Sequence, residues 1–311
     1  MAPVVTFTLN PAVDKSISVD KVVPERKLRS DHPVLEPGGG GINVARVLRE
    51  LGVAVDAHWT RGGPTGARLE TLLDELGLEH HPLPIEGETR EHLIVFELST
   101  GQQFRFGTPG PELSEAELAA IVARVAALDP ATPYLVLSGS LPAGVPDDTY
   151  ARLAQAAPSG CRVVLDTSGA ALQRGLDAHL FLVKPNVREL GQLAGRPIES
   201  DDQVRDVARR LIDRGKVEVV VTSLGAGGAM ATTADEHWHV RAPTVRIRSA
   251  VGAGDSMVGG IVAAFAAGRG LHEAIRYGVA AGAAAVKTDG TQLCRRADVE
   301  RLFAQMVSDH G

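Results

Sequence analysis

Gly38-Gly39-Gly40-Gly41-Ile42-Asn43-Val44-Ala45-Arg46-Val47-Leu48-Arg49-Glu50-Leu51 runs, after a single Gly52, into Val53-Ala54-Val55-Asp56-Ala57-His58-Trp59. Val44, Val47, Leu48 and Leu51 fall at i, i+3, i+4 and i+7, the apolar stripe of a helix. The run after Gly52 has the short, β-branched character of a strand. The alternation continues in both directions. Residues 4–9, 134–137, 162–165, 181–183 and 218–222 read as strands, several of them continuously apolar, as in a parallel sheet covered on both faces. Leu69, Leu72, Leu73 and Leu76 repeat the helical spacing, and residues 115–128, 147–157, 203–213 and 257–267 read as helices. Strand–helix alternation of this kind predicts a layered α/β fold.

Two stretches break the rhythm. Residues 12–35 alternate (Ile17, Val19, Val22) with turn residues and no helix. Residues 87–107 read as a hairpin, 93–98 and 103–106 around Ser99-Thr100-Gly101. The expectation is a small β-sheet lid made of 12–35 and 87–107, standing off a major domain of 1–11, 36–86 and 108–311. Its apolar residues Ile94, Phe96, Leu98, Phe104 and Phe106 should not stand in water, which predicts a homodimer joined through the lid.

The 311 residues are 44% hydrophobic and 23% charged, with a formal net charge of -6, an ordinary globular balance. No basic footprint points to nucleic acid. Two cysteines, Cys161 and Cys294, make no disulfide framework and suit a reducing compartment. The start carries no basic leader, and no stretch reaches the roughly 18–20 apolar residues of a membrane helix. A soluble cytoplasmic protein with no membrane partner is expected.

Four constellations carry chemistry. Gly38 to Gly41 ahead of an amphipathic helix lets backbone approach a ligand at a helix N-terminus, or else is a linker. Ser249-Ala250-Val251-Gly252-Ala253-Gly254-Asp255-Ser256 places the N–H groups of Gly252, Ala253 and Gly254 beside a carboxylate. That is an anion hole with a proton acceptor, or alternatively a helix cap. In Val183-Lys184-Pro185-Asn186-Val187-Arg188-Glu189-Leu190, Asn186 and Glu189 share a helical face that suits water-coordinated magnesium, or form a capping box. Val221-Thr222-Ser223-Leu224-Gly225-Ala226-Gly227-Gly228 ends a strand in a glycine turn where an α/β sheet places nucleotide phosphates, unless it is a plain hairpin. The sequence has no Walker-type phosphate loop, no dinucleotide fingerprint, no zinc spacing and no hydrolase elbow.

In this order the four motifs resemble those of the ribokinase-like, PfkB-type carbohydrate kinase family, over essentially the whole chain. The resemblance implies a doubly wound, mostly parallel α/β sheet with a β-sheet lid, and ATP and Mg²⁺ as co-substrate and cofactor. It makes Asp255 the base and Gly252, Ala253 and Gly254 the anion hole. It sets ATP along Lys184, Asn186, Ser223, Gly225, Gly227 and Ser249, with Glu189 on magnesium through water. Sugar contacts would come from Asp14, Gly39, Gly40, Asn43 and Ser138. Within the family, the strings Pro24-Glu25-Arg26-Lys27-Leu28-Arg29, Leu137-Ser138-Gly139-Ser140-Leu141-Pro142 and Gly290-Thr291-Gln292-Leu293-Cys294 look most like the minor bacterial 6-phosphofructokinase branch. Val286-Lys287-Thr288-Asp289 departs from the pattern, which has an Asn near the adenine.

Independently of the family, Lys27, Arg29, Arg90 and Arg105 in the lid segments supply cations that a phosphorylated sugar needs and a neutral sugar does not. The expected reaction is phosphorylation of fructose 6-phosphate at C1. A 1-phosphofructokinase, a tagatose-6-phosphate kinase, a nucleoside kinase and a non-catalytic sugar-phosphate sensor remain as alternatives. The 1-phosphofructokinase and tagatose-6-phosphate kinase branches carry a Lys at the position matching Gly40, so Gly40 is expected to leave that volume of the sugar pocket empty.

Overall fold

The computed structural model describes residues 2–288 and 290–308. Met1, the final three residues and Asp289, the last member of the 286–289 departure, lie outside the described residues. In chain order the strands are β1 (Val4–Thr8), β2 (Ala12–Val19), β3 (Val34–Gly38), β4 (Val55–Arg61), β5 (His80–Pro84), β6 (Arg90–Glu97), β7 (Gln102–Gly107), β8 (Tyr134–Ser138), β9 (Arg162–Asp166), β10 (Leu180–Val183), β11 (Val217–Ser223), β12 (Ala229–Thr232) and β13 (His237–Val240). The helices are α1 (Gly40–Glu50), α2 (Gly63–Glu75), α3 (Glu115–Ala126), α4 (Thr149–Ala156), α5 (Gly169–Gly175), α6 (Val187–Ala194), α7 (Asp201–Asp213), α8 (Ala253–Ala266), α9 (Leu271–Ala285) and α10 (Arg296–Ser308).

Nine strands form one sheet in the order β13-β12-β11-β10-β9-β8-β1-β4-β5, parallel from β11 to β5 with an antiparallel edge at β12 and β13. Strand alternation sorts side chains to two cores. Along β8, Tyr134 and Val136 face the cluster made with α1, α2, α8, α9 and α10. Leu135 and Leu137 face the cluster made with α3 to α7. Covering both faces in this way is what makes the strands read as continuous apolar runs. The architecture is the doubly wound, mostly parallel α/β sheet that was expected.

The second sheet has the order β3-β2-β6-β7. The two stretches that broke the α/β rhythm do pair, β2 running parallel to β6 from Ala12↔Arg90 to Val19↔Glu97. The expected boundary at 35/36 cuts through β3, which runs on to Gly38. Ile94, expected on an exposed apolar face, is fully buried, because register puts it on the same face as Asp14 and His92. Leu98 and Phe106 do stand exposed, at 67% and 54%, and Leu93, 36% exposed, lies directly opposite Phe106.

Several elements were not legible. β5 carries two prolines and two histidines and is tolerated as a strand because it lies at the edge of the sheet. α9 is buried nearly all round and shows no stripe. It lies so close to α8 that a Cβ on Gly260 would come within 2.7 Å of Ala281 Cβ, and one on Gly278 within 2.3 Å of Ile261. Among the described residues, no helix is long and apolar enough to cross a membrane.

Candidate active site

Strand order runs outward in both directions from the adjacent pair β1 and β8, the switch point at which open α/β sheets hold ligands beyond their carboxyl ends. The chemistry-bearing residues gather there. Ser138 ends β8, Asp166 ends β9, Lys184 follows β10, Ser223 ends β11, and α1 and α8 begin there.

The start of α1 explains its glycines. A Cβ on Gly40 would stand 2.4 Å from Ser138 Oγ and 2.7 Å from the Gly139 nitrogen, so the helix approaches β8 only with no side chain at 40. This corrects the expectation for Gly40. The missing volume is not vacant sugar pocket but space already filled by the Ser138-Gly139 turn. A side chain at 40 would therefore require α1 or the Ser138-Gly139 turn to shift. Gly38 is hemmed in similarly, a Cβ there meeting the Asp14 carboxylate at 2.7 Å.

Gly252, with φ of 71°, turns the chain into α8 in the left-handed conformation, and Ala253, Gly254 and Asp255 form the first turn. Their N–H groups have no acceptor within the helix. The Asp255 carboxylate accepts a 2.8 Å hydrogen bond from Asn43 Nδ2 of α1. Burial, then the negative charge of Asp166, pushes Asp255 up to about 6, with Asp14 adding to the rise and the Asn43 bond and Lys184 opposing it. The result is a carboxylate ionised at neutral pH yet more basic than a surface aspartate, as a general base requires. A rate that depends on Asp255 as a base should therefore fall on the acid side with a limb near pH 6, because protonation removes the acceptor. A limb near pH 4 would remove Asp255 from that role.

Lys184 Nζ pairs with Asp166 Oδ1 at 3.0 Å, the two side chains only 6% and 13% exposed. Burial pulls the lysine down, but Asp166, Asp255 and Glu189 outweigh it and its pKa is raised. Its ammonium also faces Gly254, where a Cβ would lie 3.4 Å away. Asp166 was not singled out from sequence. Its available signal is a carboxylate closing an apolar strand, Arg162-Val163-Val164-Leu165-Asp166.

Asn186 and Glu189 form a reciprocal capping box on α6, each side chain accepting from the other's backbone N–H at 2.9 Å. The capping alternative is thus realised, and one oxygen of Glu189 is committed to it. Asn186 bridges Ser223, and the Ser223 N–H donates to Pro185 O at 3.0 Å, stitching the third motif to the fourth. Beside them a cavity of about 410 Å³ is lined by Ser223, Gly225, Ala253 and Gly254 at one end and by Val245, Val279 and Ala283 along its walls. Gly227 is not among its lining residues; its carbonyl meets His239 Nε2 at 2.8 Å. Ser249 Oγ donates to Gly290 O at 2.7 Å, on the other side of the α8 start.

On the small sheet, the buried Asp14 lies 3.1 Å from His92 Nδ1. Arg90 Nη2 donates to Asn10 O at 2.9 Å and lies 3.5 Å from Ser140 Oγ. Arg105 is exposed and pairs with Ile94, on the Asp14 face but one alternation farther out. Lys27 and Arg29 are exposed on the β2–β3 loop and are not brought into the cluster.

A model of pfkB family carbohydrate kinases matches residues 7–298. The chain belongs to the pfkB family of carbohydrate kinases. This kinase is 41% identical over 301 residues to ATP-dependent 6-phosphofructokinase isozyme 2 of Mycobacterium tuberculosis, covering 96% of this chain and 88% of the relative. It is 36% identical over 280 residues to 1-phosphofructokinase of Bacillus subtilis, covering 90% and 91%. The crystal structure of Escherichia coli phosphofructokinase-2 in complex with fructose-6-phosphate superposes with a TM-score of 0.92 at 38% identity, over 99% of this kinase and all of that chain. Another structure of the Escherichia coli protein is of its tetrameric inhibited form.

Proposed function

We propose that this kinase transfers the γ-phosphoryl group of ATP to the C1 hydroxyl of fructose 6-phosphate, giving fructose 1,6-bisphosphate and ADP. The observation that carries the reading is Asp255, a raised-pKa carboxylate in the first turn of α8, between Asn43 and the Lys184–Asp166 pair. The names of the relatives from Mycobacterium tuberculosis and Escherichia coli support it.

In this mechanism Asp255 takes the proton of the C1 hydroxyl as its oxygen bonds the γ-phosphorus. The bond from the γ-phosphorus to the β–γ bridging oxygen breaks, and ADP leaves with that electron pair. Free N–H groups at the start of α8 and the Lys184 ammonium neutralise the charge spread over the phosphoryl oxygens. The 410 Å³ cavity takes the nucleotide, its apolar walls meeting the base. Asp14 accepts from sugar hydroxyls and Arg90 faces the sugar phosphate, with the four-stranded sheet acting as the lid.

The protein offers no cluster of three or more His, Cys, Asp or Glu fit for a metal among the described residues. That fits Mg²⁺, which keeps much of its water and rides on substrate phosphates. The oxygen of Glu189 left free by the capping box is the group that would reach it through water, and the ion would neutralise phosphate charge. Glu189→Gln should raise the magnesium concentration needed for half-maximal rate more than it raises the sugar KM. An unchanged magnesium titration would leave Glu189 as a helix cap only.

A substrate panel tests the reading: fructose 6-phosphate, fructose 1-phosphate, tagatose 6-phosphate, fructose and adenosine, each with ATP and Mg²⁺. Fructose 6-phosphate should lead fructose 1-phosphate by about tenfold or more in kcat/KM, only about 1.4 kcal/mol. The second reading, a 1-phosphofructokinase, is favoured by the Bacillus subtilis relative. The near two-fold symmetry of a fructofuranose lets the same base face C1 or C6, so a faster rate on fructose 1-phosphate would decide for it. No ADP release with any sugar phosphate would decide for a sensor. The chain works in the cytoplasm as a homodimer across the Leu93–Phe106 face of the lid sheet. A monomeric mass at assay concentration would overturn that assembly.

A further inference from the structure

One turn along α1 from Asn43 stands Arg46, which no phosphoryl-transfer role above uses. Its Nη1 donates to Asn43 Oδ1 at 3.3 Å and to Pro37 O at 2.7 Å. Its Nη2 lies 3.7 Å from Glu36 Oε1, both side chains largely buried at 15% and 18% exposed. The other Glu36 oxygen accepts a short hydrogen bond from Thr291 Oγ1. Glu36 belongs to β3 and sits in register directly opposite Asp14 of β2.

We propose that Arg46 is a positioning residue: by donating to Asn43 Oδ1 it fixes which end of that amide faces Asp255, with Glu36 and Pro37 of the small sheet holding the guanidinium in place. The proposal rests on Asp255 being the base. An amide is nearly symmetric in shape, and its two ends differ only in what they bond. A guanidinium can only donate, so the end of Asn43 toward Arg46 must be oxygen. The NH₂ end is then turned to Asp255, whose carboxylate can only accept. With Arg46 gone only the Asp255 carboxylate selects the NH₂ end, so the amide is held from one side instead of two, and each excursion in which it turns sets oxygen against carboxylate. A hydrogen bond is then lost where burial makes it expensive. Donation therefore runs in one direction from Arg46 through Asn43 to Asp255. Its outer end is anchored on the strand opposite the one that carries Asp14, so displacement of β3 would reach the base through three hydrogen bonds, between Pro37 O and Arg46, between Arg46 and Asn43, and between Asn43 and Asp255.

The charged groups facing Asp255 are Asp166 from β9, Lys184 beyond β10, Asp14 from β2 and Arg46 from α1. Those facing Arg46 are Glu36, Asp14 and Asp255. Removing Arg46 takes away a positive charge and loosens Asn43, and both changes favour the protonated form of Asp255.

The test is a pH titration of the Asn43 side-chain amide by ¹⁵N NMR in the full-length protein, together with the pH profile of kcat/KM. In the unmodified protein the amide should titrate with a midpoint near 6. Arg46→Ala should raise that midpoint by roughly half a unit or more. It should also lower kcat/KM for the sugar phosphate by about tenfold while the KM for ATP stays within about twofold, the scale of losing a group that orients a catalytic one. Arg46→Lys, which keeps a donor, should restore the midpoint and most of the rate. If Arg46→Ala fails to fold, Arg46→Met fills the same volume and reads the same midpoint. An unmoved midpoint in a folded variant overturns the proposal. So does an acid limb that Arg46→Ala shifts as far in an Asn43→Ala background, since Arg46 would then act by bare charge. Because the amide is observed without turnover, an inactive wild type would sink the kinase reading and leave this test standing.

Discussion

Asp255→Asn is expected to slow turnover by roughly 10²–10⁴-fold, the range for losing a positioned base, while leaving the fold as stable as before or more so at neutral pH. The first half follows from its place in the opening turn of α8, beside N–H groups with no helical acceptor. The second half follows from its titration. The pKa of Asp255 in the fold, about 6, lies above its ordinary 3.8. A carboxylate shifted upward adds stability while protonated, below about pH 4, and that contribution is lost as pH rises through about 6. At pH 7.5 the ionised group strains the fold, so a neutral amide of the same shape should raise Tm or leave it unchanged, and the difference should fade on acidification. Turnover and thermal unfolding measured on the same preparation check both halves. Wild-type turnover in the folded variant removes Asp255 from the mechanism. A marked loss of Tm at pH 7.5 would mean that its charged form is stabilised rather than strained.

Lys184→Met should be the most destabilising single change at the site, at roughly 3–5 kcal/mol, because it leaves the largely buried Asp166 without its cation. Solvent screening, which makes exposed pairs nearly worthless, is weak for groups so little exposed. Adding Asp166→Asn to Lys184→Met should recover much of the loss, since the unpaired charge, rather than the missing contact, is what costs. The same lysine opposes the rise of Asp255, so any activity left in Lys184→Met should show its acid limb above pH 6. Urea unfolding of the two singles and the double gives the coupling. Single losses that simply add, each under about 1 kcal/mol, would show that the pair behaves as an exposed one.

Periodicity and motif order carried the sequence a long way. Val44, Val47, Leu48 and Leu51 declare α1, and continuous runs such as Val163-Val164-Leu165 declare strands buried on both sides. Both signals are local, repeating every 3.6 or 2 residues, and need no knowledge of what lies across the core. For the same reason α9 escaped. Its outer face is buried too, so no stripe survives in Leu271-His272-Glu273-Ala274-Ile275-Arg276-Tyr277 and the small residues after it. β5 escaped because its prolines are tolerable only at the edge of a sheet, and nothing local tells an edge from a centre.

The site divides along the same line. The sequence by itself determined which segments come to it: the glycine run before α1, Asp255 after Gly252 and Gly254, and the Asn186–Glu189 pair, whose capping box is a contact within a single turn. What those side chains do to one another was decided by tertiary structure alone. Asp255 meets Asn43 across 212 positions of chain, Thr291 meets Glu36 across 255, and Lys184 finds Asp166 because β9 and β10 are neighbours in the sheet. Whether Gly40 is open pocket or a close packing contact depends on where β8 ends beside α1. Strand order and register set these distances. They are properties of pairs of segments, and a carboxylate's pKa or an amide's orientation takes its value only once its neighbours are in place.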